Sequence, residues 1–228
     1  MSGRETQRIV FWDIDGTLVE SSLERLFLRY LLRNRYVHPF RLPANLALLA
    51  LRLPPPHWYQ MKALYILGQT PERVREWVDA CFAEVIIHRI RPHATQTVAA
   101  LRDSGARQIL LSGTLQPLAE RLASHLGLTD VIAGEPELTR GRYSGRLVRP
   151  HPRAEQKALQ AESWLSQHNY LWEDSLAIAN HADDRPLLES AARPIVAFPD
   201  SRLADYARER GWRVTVDLSE LPTMFAEG

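Results

Sequence analysis

Lysine is nearly missing from this chain. Of its 28 basic residues, only Lys62 and Lys157 are lysines. A compact, titratable amine kept against so strong a preference for arginine asks for a reason. Cysteine is scarcer still: Cys81 stands alone, which excludes an internal disulfide and suits a reducing, cytoplasmic setting. The formal net charge is only +1, which excludes a global nucleic-acid footprint. Long hydrophobic runs are absent as well. The longest, Leu46 to Leu51, is too short to span a bilayer, and the polar stretch Met1 to Arg8 lacks the apolar core of a secretion signal. What remains is an ordinary globular composition, 45% hydrophobic and 24% charged. Its 228 residues suffice for one large domain, or for a core domain with a smaller companion.

The chain divides by pattern. Arg8 to Trp12 reads as a buried strand that ends in the turn-forming run Asp13-Ile14-Asp15-Gly16-Thr17. Residues 20–90 then read as all-helical. Ser21 to Arg35 has helical spacing, with Leu23, Leu26, Phe27, Tyr30 and Leu31 on one side. Leu42 to Leu53, 58–68 and 71–88 read as three more helices, the last opened by Thr70 as N-cap and Pro71 at its first position. After Pro92, strands and helices alternate. Strands are expected over 108–111, 131–133, 175–179, 195–198 and 213–216. Helices are expected over 93–104, 116–126, 154–167, 184–191 and 202–210. Glu137 to Leu147, with Gly141 and Gly145, reads as a β-hairpin, and Ser112-Gly113-Thr114 lies between the second strand and the helix after it. The alternation implies an α/β fold with a parallel, doubly wound sheet, into which the helical block is inserted directly after the first strand.

In open α/β sheets, ligands sit at the carboxyl ends of the strands. Four polar clusters fall beside such ends: Asp13 with Asp15, Ser112 with Gly113 and Thr114, Lys157, and Asn180 with Asp183 and Asp184. Two carboxylates one residue apart can divide the labour of phosphoryl transfer, one attacking phosphorus and the other moving the leaving group's proton. Gly16 permits a tight turn that brings amide N–H groups to phosphate oxygens. A serine hydroxyl and an ammonium group suit phosphate. Oxygen donors at a further strand would complete a Mg2+ site. Each cluster alone also fits a plain turn, a helix cap or a solvated face. Together, each beside a strand end, they describe one site, and Lys157 adds weight because a merely solvated position here would carry arginine.

The set resembles the four motifs of the haloacid dehalogenase superfamily. Phe11-Trp12-Asp13-Ile14-Asp15-Gly16-Thr17-Leu18 matches the first, Leu111-Ser112-Gly113-Thr114 the second, Lys157 the third, and Asp184-Arg185-Pro186-Leu187-Leu188 the end of the fourth. The hairpin around Gly141, Tyr143 and Gly145, and Phe198-Pro199-Asp200 through Gly211-Trp212, resemble the phosphoserine-phosphatase-like branch, subfamily IB. The resemblance implies a Rossmann-like core over 1–19 and 91–228 with a C1-type helical cap over 20–90. It implies Mg2+-dependent hydrolysis of a phosphate monoester. Asp13 would be the nucleophile and a Mg2+ ligand. Asp15 would be the acid/base and a backbone ligand to the metal. Ser112, Gly113 and Lys157 would hold the phosphoryl group, and Asn180 and Asp184 would complete the metal set.

Two departures stand out. The first acid of the fourth motif is replaced by Asn180, which removes a negative charge from the metal site. The glutamate that phosphoserine phosphatases carry nine residues after the nucleophile is Ser22 here, which argues against phosphoserine. Between Ser21 and Tyr59, moreover, Glu24 is the only acid, while Arg25, Arg29 and Arg33 form a stripe of four-residue spacing beside an apolar segment. That pairing suits an amphiphilic substrate such as a lipid phosphate, or a peripheral contact with the inner membrane face. It equally fits a solvated helix face on a soluble-metabolite phosphatase. A further alternative, motivated by Asn180, is a metal-impaired pseudo-phosphatase that acts as a binding protein.

Overall fold

The computed structural model describes residues 7–37 and 63–226. Six strands form one parallel sheet in the order β3-β2-β1-β6-β7-β8. They are β1 (Ile9–Trp12), β2 (Arg107–Leu115), β3 (Asp130–Gly134), β6 (Ser175–Ala179), β7 (Arg193–Ala197) and β8 (Arg213–Thr215). β4 (Pro136–Thr139) and β5 (Arg142–Leu147) make a separate antiparallel hairpin. It turns at Arg140 and Gly141, both with positive φ, the backbone that a tight two-residue hairpin needs. The helices are α1 (Leu23–Arg33), α2 (Pro71–Cys81), α3 (Ala94–Asp103), α4 (Gln116–Leu126), α5 (Glu155–Gln167), α6 (Arg185–Ser190), α7 (Ser201–Arg210) and α8 (Leu221–Ala226).

β1 lies at the centre because all of its side chains are apolar and both of its faces are covered. Val10 and Trp12 enter one core with the α1, α2, α3 and α4 side chains, while Ile9 and Phe11 enter the other with Ala161, Leu165 and Leu187. Trp12 still needs a partner for its indole N–H. It donates to Gln108 Oε1 at 2.9 Å, and Gln108 Nε2 in turn donates to the Val98 carbonyl at 2.8 Å. The chain runs outward from β1 through β2 to β3, then returns to place β6 on the other flank of β1. This reversal puts the functional end of the sheet above β2, β1 and β6.

The chain leaves β1 and comes back through paired linkers. Glu20 N–H donates to the Arg89 carbonyl at 2.9 Å, and Arg91 N–H to the Leu18 carbonyl at 2.9 Å. The Arg91 guanidinium rests on the Phe198 ring, 3.5 Å from its centroid, and donates through Nε and Nη2 to the Gly16 carbonyl at 3.2 and 2.9 Å. The linkers therefore clamp the turn that follows β1.

Several expectations change. β2 is longer than 108–111 and carries Ser112, Gly113 and Thr114 within it; its pairing with β3 shifts register between Leu111 and Leu115. The helix expected over 71–88 ends at Cys81 and continues as a π-helical turn (Phe82–Ile86) and a 3-10 turn (Ile87–Arg89). Residues 63–66 form a 3-10 turn, while 58–62 and the helix expected over Leu42 to Leu53 lie outside the described residues. Asp183 and Asp184 belong to a 3-10 turn (Ala182–Asp184) that precedes α6. α8 has no counterpart in the sequence reading. Among the described residues no helix is long and apolar enough to cross a membrane.

Candidate active site

Trp12 pairs with Leu110 of β2 and Ile178 of β6. Asp13 is thus the first residue beyond the pairing of β1, and Ser112 and Asn180 stand one residue further along the neighbouring strands. Asp13 N–H is fixed by the Ile178 carbonyl at 2.9 Å. Its carboxylate is buried, with Oδ2 accepting from the Thr17 hydroxyl at 2.9 Å and Oδ1 from Lys157 Nζ at 2.6 Å. Lys157 lies in the first turn of α5 and also donates to Asp184 Oδ1 at 2.7 Å. The ammonium is only 2% exposed, so the one lysine of the core serves two buried carboxylates rather than solvent. Burial opposes its charge, yet Asp13 and Asp184 outweigh burial and hold it above the usual lysine range. Burial likewise pushes Asp13 up to about 7, with Lys157 pulling it down and Asp184 pushing it up.

Asp15 faces a different way. Its Oδ1 accepts from the backbone N–H of Leu23, the first residue of α1, at 3.0 Å, and both oxygens lie 3.3 Å from the Thr114 hydroxyl. Burial raises its pKa; the Leu23 N–H and the Ser22 and Thr114 hydroxyls partly offset that. A carboxyl whose pKa is raised by burial, two residues from Asp13, suits a proton donor.

The oxygen donors around Asp13 suit a hard cation such as Mg2+. Among the described residues no three His, Cys, Asp or Glu side chains gather as a metal cluster. With the Asp15 side chain turned to α1, the set is the carboxylates of Asp13 and Asp184 together with the Asn180 amide. Asn180 Oδ1 is buried and has no hydrogen-bond partner among the described residues, as expected of an oxygen placed for a ligand the chain does not supply. The residues therefore fit such a cation. Asp183, the neighbouring acid, is engaged elsewhere: it accepts from Arg153 Nε at 2.7 Å.

Gly16 and Gly113 make close approaches possible. Gly16 has φ +90°, and a Cβ there would overlap the Asn180 side-chain amide. A Cβ on Gly113 would overlap the imidazole of His151, which therefore roofs the Ser112-Gly113 segment. Ser112 is buried on β2, with its Oγ accepting from Thr114 N–H at 3.3 Å. Arg25, Arg29 and Arg33, by contrast, are exposed on α1, whose buried face is Leu23, Leu26, Phe27, Tyr30 and Leu31. Arg29 and Arg33 border a surface cavity of about 260 Å3 with Tyr30 and Glu84.

The fold thus brings Asp13, Asp15, Ser112, Gly113, Lys157, Asn180 and Asp184 to one end of the sheet. Sequence reasoning passed over Thr17 and His151 as members of the site. Thr17 lies inside the first motif and was open to inclusion; nothing local marks His151.

The haloacid dehalogenase-like hydrolase family model matches residues 10–189, and the chain belongs to that family. Among curated relatives, the phosphoserine phosphatase SerB1 of Mycobacterium tuberculosis is 27% identical over 154 residues, covering 67% of this chain and 50% of that protein. The probable phosphatase Rv3661 of the same organism is 25% identical over 147 residues, covering 64% and 51%. The chain spans about half the length of these relatives. Among solved structures, a Bordetella pertussis protein of unknown function superposes with a TM-score of 0.81 at 25% identity, over 93% of this chain and 99% of that one. A substrate-bound phosphoserine phosphatase superposes with a TM-score of 0.68 at 16% identity, over 97% and 99%, which speaks for the fold alone.

Proposed function

We propose that this chain is a Mg2+-dependent phosphatase of small phosphate monoesters, working through an aspartyl-phosphate on Asp13. The observation that carries the reading is the buried Asp13–Lys157–Asp184 group at the end of the central strand, with Asp15 two residues on. An Asp13 carboxylate oxygen attacks phosphorus. The ester P–O bond breaks, and the leaving oxygen takes its proton from Asp15. Asp15 then removes a proton from water, whose oxygen attacks the phosphorus. The bond to Asp13 breaks, inorganic phosphate leaves, and Asp15 is protonated again.

Ser112, the backbone of Gly113 and Lys157 are the groups for the phosphoryl oxygens. Asp13, Asp184, the Asn180 amide oxygen and the Asp15 backbone carbonyl are the groups for Mg2+, which when bound offsets the negative charge of the phosphoryl group. Residues 20–90 act as a cap that selects the leaving group, with Glu20 and Arg91 at its hinges. The exposure of the α1 arginines weighs against their contacting a phosphate ester at Asp13. It favours instead a second role for Arg25, Arg29 and Arg33, contact with an anionic surface such as lipid head groups.

The deciding experiment is acid quench during turnover, followed by mass spectrometry. The expected result is one added phosphoryl group on the peptide bearing Asp13, absent in Asp13→Asn. Turnover of Asp13→Asn at the parent rate would overturn the assignment.

A further inference from the structure

Tyr65 carries a hydroxyl that is shielded from solvent and makes no hydrogen bond to any described residue. Native proteins seldom leave such a group unpaired unless a ligand or water satisfies it. Its surroundings point to a ligand. Asp15 is tied to the first N–H of α1 by the bond to Leu23, so α1 begins at the carboxyl that serves the leaving group. Glu24 is the next residue, and its Oε1 is buried. Phe27 follows three residues later on the same helix face. The Tyr65 ring packs edge-on against Phe27, with centroids 6.0 Å apart and planes at 74°. Burial above all, then the Glu24 carboxylate and then that of Asp15, push the phenol well above its ordinary pKa, so Tyr65 stays a neutral hydroxyl among acids.

The turn that carries Tyr65 is braced from behind. Gly68 N–H donates to the Tyr143 carbonyl at 2.8 Å, and Tyr143 N–H to the Gln69 carbonyl at 2.9 Å. Gly145 of β5 presses on Leu64 and Leu67, where an added Cβ would stand 3.3 and 3.4 Å from their side chains. The hairpin thus braces the turn that carries Tyr65, whose hydroxyl bonds to no described residue.

We infer that Tyr65 and Glu24 form a leaving-group subsite beside Asp15, which reads a hydroxyl or amino group on the alcohol being released. The inference rests on the phosphatase reading and narrows it to phosphate esters of small polyols or amino alcohols. Tyr65 offers one donor and acceptor, and Glu24 accepts from a hydroxyl or ammonium. A plain alkyl chain leaves the Tyr65 hydroxyl unsatisfied, and a second anionic group meets the Glu24 and Asp15 carboxylates.

The test compares kcat/KM of the full chain with Mg2+ on glycerol phosphate, ethanolamine phosphate and propyl phosphate, with 4-nitrophenyl phosphate as a general ester. The first two are expected to exceed propyl phosphate by about tenfold or more, since a site built around a polar group rejects the analogue that lacks it. Tyr65→Phe is expected to shrink that ratio towards unity without lowering the melting temperature, because the lost hydroxyl bonded to no described residue. Glu24→Gln is expected to lower the ethanolamine ester more than the glycerol ester. Equal turnover of all three esters by the parent overturns the subsite. So does a Tyr65→Phe variant that melts several degrees lower with the ratio intact, which makes the hydroxyl structural. Turnover of 4-nitrophenyl phosphate in either case leaves the phosphatase reading standing; no turnover of any ester overturns both.

Discussion

The two sides of this site are built on opposite principles. On the Asp13 side, Asp13, Thr17, Lys157 and Asp184 satisfy one another through bonds of 2.6 to 2.9 Å. On the α1 side, Asp15 is held by a backbone N–H, but the Tyr65 hydroxyl bonds to no described residue. A saturated network fixes geometry, which an in-line attack on phosphorus needs. An open hydroxyl keeps its bond for a partner that arrives from outside, which selection among leaving groups needs. On the proposed reading, the chemistry resides in the sheet end and the selection of the leaving group in Glu24 and Tyr65.

Removing the carboxylate of Asp13, the proposed nucleophile, should break the first side most severely. Asp13→Asn is expected to lower kcat by about 10^4-fold or more while the fold persists. The same variant sharpens a point about pH. In the metal-free protein the Asp13 pKa stands at about 7 against an ordinary 3.8, so the folded state holds its proton more tightly than the unfolded chain. Its stabilising contribution is complete below pH 4 and is lost as pH rises through 7. Without metal, parent stability should fall by about 1–4 kcal/mol between pH 5 and pH 8, measured by urea unfolding, and Asp13→Asn should flatten that slope. A parent curve that rises with pH over this window would contradict the assignment.

Lys157→Met comes next. It leaves two buried carboxylates facing each other without a cation, which is expected to cost about 3–5 kcal/mol of stability at pH 8. The loss should shrink on acidification, because protonating one carboxyl relieves the repulsion. Lys157→Arg should not rescue activity, since a fixed planar fork replaces a compact ammonium placed between two oxygens. Thermal melts at pH 5 and pH 8, together with turnover, check both statements.

The legible part of this architecture was whatever is encoded locally. β1 with Asp13, Asp15 and Gly16 shows as an apolar run ending in turn residues, and Lys157 was flagged by composition alone. The second strand was read as ending at Leu111 because hydroxyl and glycine residues look like punctuation, whereas pairing with β3 carries β2 on to Leu115. Asp183 and Asp184 look alike in sequence, but a 3-10 turn sends Asp184 to Lys157 and Asp183 to Arg153. His151 over Gly113 and Tyr65 against Phe27 are tertiary meetings between segments far apart in sequence. No periodicity announces them. The arginine stripe was visible at once, but its spacing could not say whether it faced the site or solvent.

Smaller effects probe the seam where β6 meets the turn after β1. Gly16→Ala introduces a Cβ at φ +90° and into the Asn180 amide. Both strain and overlap act, and a loss of about 2 kcal/mol is expected, seen as a lower urea midpoint. Because the displaced group is the Asn180 amide, magnesium dependence should weaken in the same variant.

Asn180→Asp makes the mildest and most specific change. The Asn180 side chain packs on the Gly16 backbone, and its buried Oδ1 lacks a described partner, so the position already offers an oxygen but no charge. A carboxylate there adds a third negative charge near Asp13 and Asp184, against the single ammonium of Lys157. Without metal, that charge is a burden, and the melting temperature should drop. With Mg2+ the same charge becomes attraction, since carboxylate count tunes the affinity of such sites. The midpoint of magnesium-dependent thermal stabilisation is expected to fall about tenfold in concentration, equivalent to about 1.4 kcal/mol. The two shifts must occur together. A lower melting temperature without tighter magnesium binding would mean that Asn180 is there to pack against Gly16, and that the metal draws its oxygens from Asp13 and Asp184 without it.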